Sequence, residues 1–521
     1  MIEDLREGPT KDRVAADICI VGAGAAGLML AVTLARRGAS VVVLESGGSQ
    51  IDVETQDFNR GEIVGHPHHG TEEGRARAIG GTTTLWGGQL VPLRPIDFEK
   101  RPGIDHSGWP IGRADLTPYY EDVLREVGLG RSEWRDEIVW QRIGAEPPAL
   151  GSQLEPYLSR WCPEPNFARH FGRDLQTLWS LRIIAHATVI QIETQEHQVV
   201  ELVAADLRGH RVRVTANVFV LCVGTIETVR VLLQTGHTAP WAGLDTIGRY
   251  FQDHPVVAIG TVVPRDRSRL HDWFDNIYLS GFKYQPRFHI RTEVQNREHL
   301  PGAGGLLMFH SHRLSDLNQL RIAGRALLAR RPVSAIRNFT ASPGAVDAGI
   351  RLAWRTLGRH RSYNPDDLGI TLQAQLEQIP RSESRITLSD QRDRMGLRRA
   401  RVDWRVGERE LETAAVFAEL CREGFRESGV ADVVLDSAIE RRDPSAFSRF
   451  SDQLHHMGTA RMSTSPDTGV VDPDLRVFNT QNLYLCSGAV FPTSGYANPT
   501  HTILALALRL ADRLSGQNAC G

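Results

Sequence analysis

Lysine is almost missing from this 521-residue chain: Lys11, Lys100 and Lys283 are its only three. The other cations are arginine, which reads as the coding bias of a GC-rich genome rather than as a binding feature. Lys and Arg total 60 against 62 acids, for a net charge of −2. With no excess of either sign there is no electrostatic case for nucleic acid or anionic lipid. Cysteine is also scarce. Cys19, Cys162, Cys222, Cys421, Cys486 and Cys520 are scattered, with no CxxC pair. Cys19, Cys222 and Cys486 sit in apolar strand-like runs as small core residues, which suits a reducing compartment. No run of 18 or more apolar residues exists, so no integral membrane segment is expected. The polar start, MIEDLREGPTKDR, has no apolar h-region, so no secretory signal is expected and the location is read as cytoplasmic. Internal repeats and low-complexity tracts are missing too.

What is present is ordinary for a globular enzyme: 41% apolar and 23% charged residues. A chain of this length buries a large core in two domains, or in one large α/β body with insertions. DICIV (Asp17 to Val21) predicts a first strand, followed by GAGAAG, a helix over LMLAVTLARRG, and a second strand SVVVLE ending in Glu45. Of the three glycines, Gly22 permits the tight turn, Gly24 lets the backbone reach a pyrophosphate, and Gly27 lets helix and strand pack closely. Bare N–H groups at the helix start suit phosphate, and Glu45 can accept from ribose hydroxyls. This is a dinucleotide site, but the fingerprint alone does not separate NAD from FAD. Downstream, GRARAIGGTTTLWGGQLVP (Gly74 to Pro92) sets two glycine pairs around a threonine run and Trp86. That stretch can lay N–H groups and small hydroxyls along an extended ligand. The histidines of HPHHG (His66, His68, His69) have no second ligand cluster nearby in sequence and read as a solvated loop, with no metal expected.

Further along, PIGRADLTPYYEDVLREVGLG predicts a helix starting near Pro118, and residues 131–175 read as an irregular connecting excursion. Ser180 to Gln195 and His210 to Gly236 read as strands returning to the first sheet, with Gly224-Thr225 after the apolar strand Val218 to Val223. GRYFQDHP (Gly248 to Pro255) closes this part. From Val256 to Ala446 the alternation in VAIGTVV, GGLLMFHSH and SRITLSD predicts an antiparallel sheet. Two Arg-rich runs, LNQLRIAGRALLARR and AGIRLAWRTLGRHR, read as solvated helix faces, and Glu410 to Gly429 as an amphipathic helix. The last seventy residues hold LHHMGTARM and NLYLCSGAVFPTSGYANPTHT. The first offers a His before a Gly-Thr turn. The second offers an Asn before a Pro that opens an apolar helix. On two rigid elements, such a His and Asn make a base and an anchor for taking a proton from an alcohol.

Taken together, the glycine turn with Glu45, GGTTTLWGG, GRYFQDHP, HHMGTARM and NLYLCSGAVFP…ANPTHT resemble the glucose–methanol–choline (GMC) oxidoreductases. Within that family the likeness runs to pyranose oxidase and bacterial sugar or glycoside 3-oxidases and 3-dehydrogenases. The motifs cover most of the cofactor region; the middle third matches in texture, with SRITLSDQRDRMGLRRARVDWR the most family-like piece. The resemblance implies an α/β fold: a discontinuous Rossmann-like FAD-binding domain plus a substrate domain with an antiparallel sheet flanked by helices. The implied division is 1–255 (with an excursion at about 90–175), 256–446 and 447–521. FAD would be non-covalent, because Thr83-Thr84-Leu85-Trp86 stands where pyranose oxidases carry a flavin-linked His in Ser-Thr-His-Trp. Ser487 in CSGAVFP replaces an Asp that many members place near the pyrophosphate, as pyranose oxidase also does.

By the HxxGT spacing the family's catalytic His falls on His455, with His456 and His501 as neighbouring candidates, and the Asn of the NP motif is Asn498. Candidate cofactor contacts are Gly22, Gly24, Ala25, Gly27 and Glu45, then Arg77, Gly80, Gly81, Thr84, Trp86, Gly87 and Gly88. Val189, Gly224, Ser487, Gly488, Pro499 and Thr500 complete them. The expected reaction is oxidation of a secondary alcohol of a sugar or glycoside, at C3, with His455 removing the proton and hydride passing to flavin N5. Oxygen or another acceptor reoxidises the flavin. Three alternatives stand beside it: a natural-product tailoring oxidase acting on a polyol or aminoglycoside, a non-redox flavin lyase of the same family, and an NAD-binding regulatory protein that leaves the His/Asn pair unexplained.

Overall fold

In the computed structural model, residues 1–8, 12–313 and 345–518 are described. Their strands, numbered β1–β19 in chain order, form two eight-stranded sheets and one of three strands. The first sheet runs β1 (Ile2–Asp4), β7 (Leu181–Ala185), β3 (Val41–Leu44), β2 (Arg13–Val21), β10 (Arg211–Leu221), β9 (Gln198–Ala205), β8 (Thr188–Gln195), with β19 (Leu483–Leu485) also on β10. β1, β7, β3, β2, β10 and β19 are mutually parallel; β9 and β8 fold back antiparallel. Unbroken apolar runs explain the parallel centre, since a strand covered on both faces has no polar side. All four residues of β3 are buried. Helices Ala25–Arg36 and Thr500–Asn518 supply residues to the same core.

Two readings of the first half change. The polar N-terminus contributes the edge strand β1, whose pairing with β7 comes from a partner far along the chain. The helix expected near Pro118 starts at Arg113, where Asp115 accepts the Gly112 N–H (2.7 Å) and sets the start; Pro118 lies inside it.

The second sheet runs β18 (Ala431–Leu435), β11 (Val256–Pro264), β15 (Gly369–Leu376), β14 (Ala303–His310), β13 (Phe282–Ile290), β6 (Leu154–Trp161), β5 (Gln89–Leu90), with β12 (Ile277–Leu279) on β13. Among the described residues every strand pair in it is antiparallel. The stretch read as an irregular excursion therefore holds a full strand, β6; its alternation is masked by Pro156 and by polar residues on its inner face. SRITLSD lies in the separate sheet, where β16 (Arg385–Arg392) pairs with β17 (Arg398–Trp404), and β17 with β4 (Glu62–Gly65).

Because strand side chains alternate, the second sheet has two unlike faces. Phe288, Leu372, Ala374 and Leu376 pack with Leu411, Phe417 and Phe425 of helix Glu408–Ser428. The opposite face carries Tyr157 across from Arg287, then His289, Gly304 and Gln375 in register. LNQLRIAGRALLARR lies outside the described residues. AGIRLAWRTLGRHR falls largely in helix Ala345–Arg359, which exposes Ile350, Trp354 and Leu357 as well as Arg351. Among the described residues no helix is long and apolar enough to cross a membrane.

A β-carbon added at Gly27 stands 1.9 Å from the Gly22 carbonyl oxygen. Backbone cannot yield there as a side-chain tip can. Gly27→Ala should push the helix off the glycine turn, destabilising the protein by about 1–3 kcal/mol and lowering bound FAD. Melting temperature and the flavin-to-protein ratio check this; full flavin content with an unchanged melt contradicts it.

Candidate active site

A cavity of about 450 Å³ runs from the C-terminal end of β2 to the C-terminal motifs. Thirteen of the expected cofactor contacts fall on its wall: Gly22, Gly24, Ala25, Glu45, Arg77, Gly81, Trp86, Val189, Gly224, Ser487, Gly488, Pro499 and Thr500. His455 and His456 close one part of it. The wall is shaped for backbone approach. A β-carbon on Gly81 would meet the Gly24 Cα at 2.7 Å, and one on Gly488 the His456 carbonyl oxygen at 2.5 Å. Helix Ala25–Arg36 opens here with no side-chain cap and no acid in its first turn, and helix Gly224–Gln234 also has no side-chain cap. Uncapped N–H groups and a positive helix end suit an anionic pyrophosphate. The residues present fit a dinucleotide.

The other expected contacts lie behind the wall. Gly27 serves helix packing. Gly80, at φ +100°, donates its N–H to the Ala23 carbonyl (2.8 Å) and docks the second loop on the first. Thr84 Oγ1 turns back to the Gly81 carbonyl (2.8 Å). Gly87 and Gly88 make room for Trp161, Cys162 and Pro165. Glu45 is buried and accepts from the N–H groups of Ala23 (2.8 Å) and Gly47 (2.9 Å). Burial pushes its carboxyl up, and those N–H groups pull it back; Oε1 also takes the Ser46 hydroxyl at 3.4 Å, while Oε2 keeps a second lone pair.

Arg77 is tied into a buried ion network. Its Nη2 reaches Glu227 Oε2 at 2.6 Å, and Glu227 also meets Arg230 (2.9 Å) and Arg75 (3.4 Å). Arg230 is paired with Asp393 as well. Burial alone would raise Glu227, but Arg77, Arg230 and Arg75 hold it down at about 2. Of this network, Arg75, Arg77 and Glu227 line the cavity.

At the other part of the cavity, Asp253 is the hub. Its Oδ1 accepts the N–H groups of His254 (2.6 Å), His455 (3.0 Å) and Gln453 (3.1 Å). Its Oδ2 accepts from His68 Nε2 (3.2 Å). Burial opposes the charge, yet the His68 hydrogen bond and the surrounding imidazoles hold Asp253 well below the usual carboxylate range. His254 follows directly. Its Nε2 stands 3.0 Å from the Gly495 carbonyl, and its Nδ1 2.9 Å from His455 Nδ1.

Those contacts determine the tautomers. A carbonyl oxygen only accepts, so His254 Nε2 carries the proton. Burial lowers the pKa of His254 and takes that of His455 to about 3, so both rings are neutral near pH 7 with one proton each. His254 Nδ1 then accepts, and His455 Nδ1–H donates to it. Gln375 Nε2 approaches the same His254 nitrogen at 3.3 Å and also donates to the Tyr496 carbonyl at 2.6 Å. His455 Nε2 is left as the unprotonated, accepting nitrogen. Asn498 Nδ2 lies 3.4 Å from it, and Asn498 Oδ1 is buried with no partner. Asn498 thus sits beside His455 rather than on the cavity wall.

The neighbouring histidines differ. His501 Nε2 donates to the Tyr120 carbonyl (3.1 Å), inside the helix packing. His456 is turned toward Asp253 (3.8 Å), its Nε2 buried and unpaired. His68 corrects the solvated-loop reading: its side chain is fully buried against Asp253, a partner too distant in the chain to be seen from HPHHG. His69 stays exposed on Asp452 (2.8 Å). The donor atoms of His68, Asp253 and His456 lie within 4.8 Å of one another. His68 Nδ1 accepts the Gly70 N–H (3.1 Å), so the neutral ring keeps its proton on Nε2, the atom a metal would need bare. The arrangement is a hydrogen-bonded clamp.

Asp253, His254, Gln375 and Glu227 have no assigned part in the motif reading. An Asp-His pair just before Pro255 was the visible signal; its partners come from distant strands and loops.

The family model of FAD dependent oxidoreductases matches residues 17–271, and that of GMC oxidoreductases matches 380–507. The chain thus carries an FAD-dependent oxidoreductase region followed by a GMC oxidoreductase C-terminal region. It is an FAD-dependent enzyme acting on CH–OH groups. Among similar proteins, paromamine 6'-oxidase of Streptomyces fradiae is 25% identical, over 96% of this chain and 91% of that one. A 2-methyl-1,2-propanediol dehydrogenase of Mycolicibacterium austroafricanum is also 25% identical, over 96% and 95%. In fold, the crystal structure of pyridoxine 4-oxidase from Mesorbium loti matches with a TM-score of 0.58 at 16% identity, covering 96% of this chain and 99% of that one.

His455, His456 and His501 each lie near 3 because they are buried, against about 6.5 in an unfolded chain. Folded, they stay neutral; unfolded, they take up protons below pH 6.5. The unfolded form therefore binds more protons there, and stability falls with pH, by up to about 1.4 kcal/mol per unit for each ring. Glu45, raised by burial, acts in the opposite sense. The melting temperature should drop steadily from pH 6.5 toward 4.5, before the carboxylates titrate. A flat profile over that window contradicts the neutral buried rings.

Proposed function

We propose that this enzyme oxidises a ring hydroxyl of a sugar or glycoside, at C3, with His455 as the base and Asn498 as the anchor. One observation carries the reading: a chain of hydrogen bonds from the Gly495 carbonyl through His254 to His455, ending on an unprotonated nitrogen that faces the Asn498 amide, whose oxygen has no partner.

A substrate hydroxyl donates to His455 Nε2, and its oxygen accepts from Asn498 Nδ2. As the carbon–hydrogen bond breaks and the carbonyl forms, His455 Nε2 keeps the hydroxyl proton. Bound FAD supplies the two-electron acceptor for the departing hydride. The imidazolium so formed holds its Nδ1–H on His254, whose own proton stays on Gly495, so no rotation is needed to hold the charge. Asp253 fixes both loops through backbone N–H groups.

Gly22, Gly24, Ala25, Gly81, Gly224, Ser487, Gly488, Pro499 and Thr500 hold the dinucleotide in this reading, with Glu45 on the ribose and Arg77 fixed in the wall by Glu227. The names of the relatives, a paromamine 6'-oxidase and a propanediol dehydrogenase, support a polyhydroxylated substrate. The polar sheet face of Tyr157, His289 and Gln375 supports it as well. The choice of C3 rests on the likeness of CSGAVFP and GGTTTLWGG to sugar 3-oxidases.

His455→Gln should retain FAD while flavin reduction by sugar slows about 10²–10⁴-fold. Anaerobic addition of glucose and simple glycosides, read by bleaching of the flavin, checks this, and admitting air then separates an oxidase from a dehydrogenase. Near-normal reduction by the variant overturns the assignment.

A further inference from the structure

One buried arginine faces this centre without an anion. Arg287 on β13 is only 6% exposed. Among the described residues, the other deeply buried arginines all have a compensating partner. Arg77, Arg101 and Arg230 meet carboxylates. Arg361 and Arg461 lie over the rings of Trp140 and Tyr250. Arg287 has neither. Its one hydrogen bond is long, from Nη2 to Gln375 Oε1 at 3.4 Å, and its Nε is buried and unpaired. A guanidinium cannot shed its proton to escape burial, so an isolated one is costly. A site that keeps one is built for an anion.

The position identifies which anion. Arg287 is not on the wall of the dinucleotide cavity, so it does not serve the pyrophosphate. It lies on the polar sheet face, opposite Tyr157. Gln375 bridges it to His254 Nδ1, the atom that holds His455. Its charge is also felt at His455. Arg287 is thus one side chain removed from the base assembly, on the polar face of the sheet. Its planar fork and single charge match a carboxylate held by two parallel N–H···O bonds.

We propose that Arg287 forms a carboxylate subsite and that the substrate is a sugar acid, a hexuronic acid or its glycoside, with the hydroxyl on His455 and the carboxylate on Arg287. This rests on the sugar-oxidation reading above. It also sets the chain apart from a polycationic aminosugar oxidase, because a buried guanidinium repels an ammonium group.

The test compares methyl β-D-glucuronide with methyl β-D-glucoside, the same ring with and without the carboxylate, on the holoenzyme. Ligand-dependent rise in melting temperature gives affinity without turnover; anaerobic rapid mixing gives affinity and flavin-reduction rate separately. The wild type should bind the glucuronide about 30-fold more tightly than the glucoside, the equivalent of a buried charge pair. Arg287→Gln should cut that preference below about threefold, and Arg287→Lys should retain part of it. Equal affinity for both rings in the wild type, or equal loss of both in Arg287→Gln, overturns the subsite. Should Arg287→Gln fail to retain FAD, acetate added to the wild type decides: competition against the glucuronide and not the glucoside supports the subsite, and equal or no competition overturns it. Arg287-dependent glucuronide binding with no flavin reduction by either ring keeps the subsite and removes the sugar-oxidation reading. Reduction by both rings with no preference does the reverse.

Discussion

The arrangement of the catalytic end depends on one buried carboxylate. Asp253 collects three backbone N–H groups and one imidazole N–H, so the loop carrying His254 and the loop carrying His455 cannot move independently. A carboxylate with several donors is stable as an anion even without water. Here that stability is spent on geometry. Two imidazoles are brought nitrogen to nitrogen, and a carbonyl at the far end decides which atoms carry protons. A lone histidine in an apolar pocket offers either nitrogen; this one offers a single defined lone pair.

The two large sheets divide the labour. The parallel sheet ends in glycine turns and uncapped helices, which favour the negative charge and elongated shape of a dinucleotide. The antiparallel sheet buries one face on helix Glu408–Ser428 and turns amides, a phenol and an arginine toward the base. Strand alternation supplies both functions from the same residues: Phe288 belongs to the core because Arg287 and His289 do not.

Local patterns were legible in the sequence, and remote pairings were not. The strand–turn–helix of Asp17 to Glu45 announces itself because its glycines, apolar runs and acid all lie within about thirty residues. His455 and Asn498 stood out through their Gly-Thr and Pro neighbours. The edge strand at Ile2 could not be seen, since three residues carry no periodicity. β6 was lost because Pro156 and polar inner-face residues break its pattern. His68 read as solvent-facing because its partner Asp253 is supplied only by folding. Arg77, read as a ligand contact, does line the cavity, but its charge is committed to Glu227, a residue no motif singled out.

The active site has a consequence for biosynthesis. The cavity wall at Ser487, Gly488, Pro499 and Thr500, the strand β19 and the closing helix Thr500–Asn518 all come from the last stretch described, yet they complete a sheet begun by β1 and β2. On the ribosome, the glycine turn emerges first and waits through more than four hundred residues for its other wall. Cofactor capture therefore waits for these residues, and a nascent chain stalled before Leu483 has half a cradle and nothing to close it.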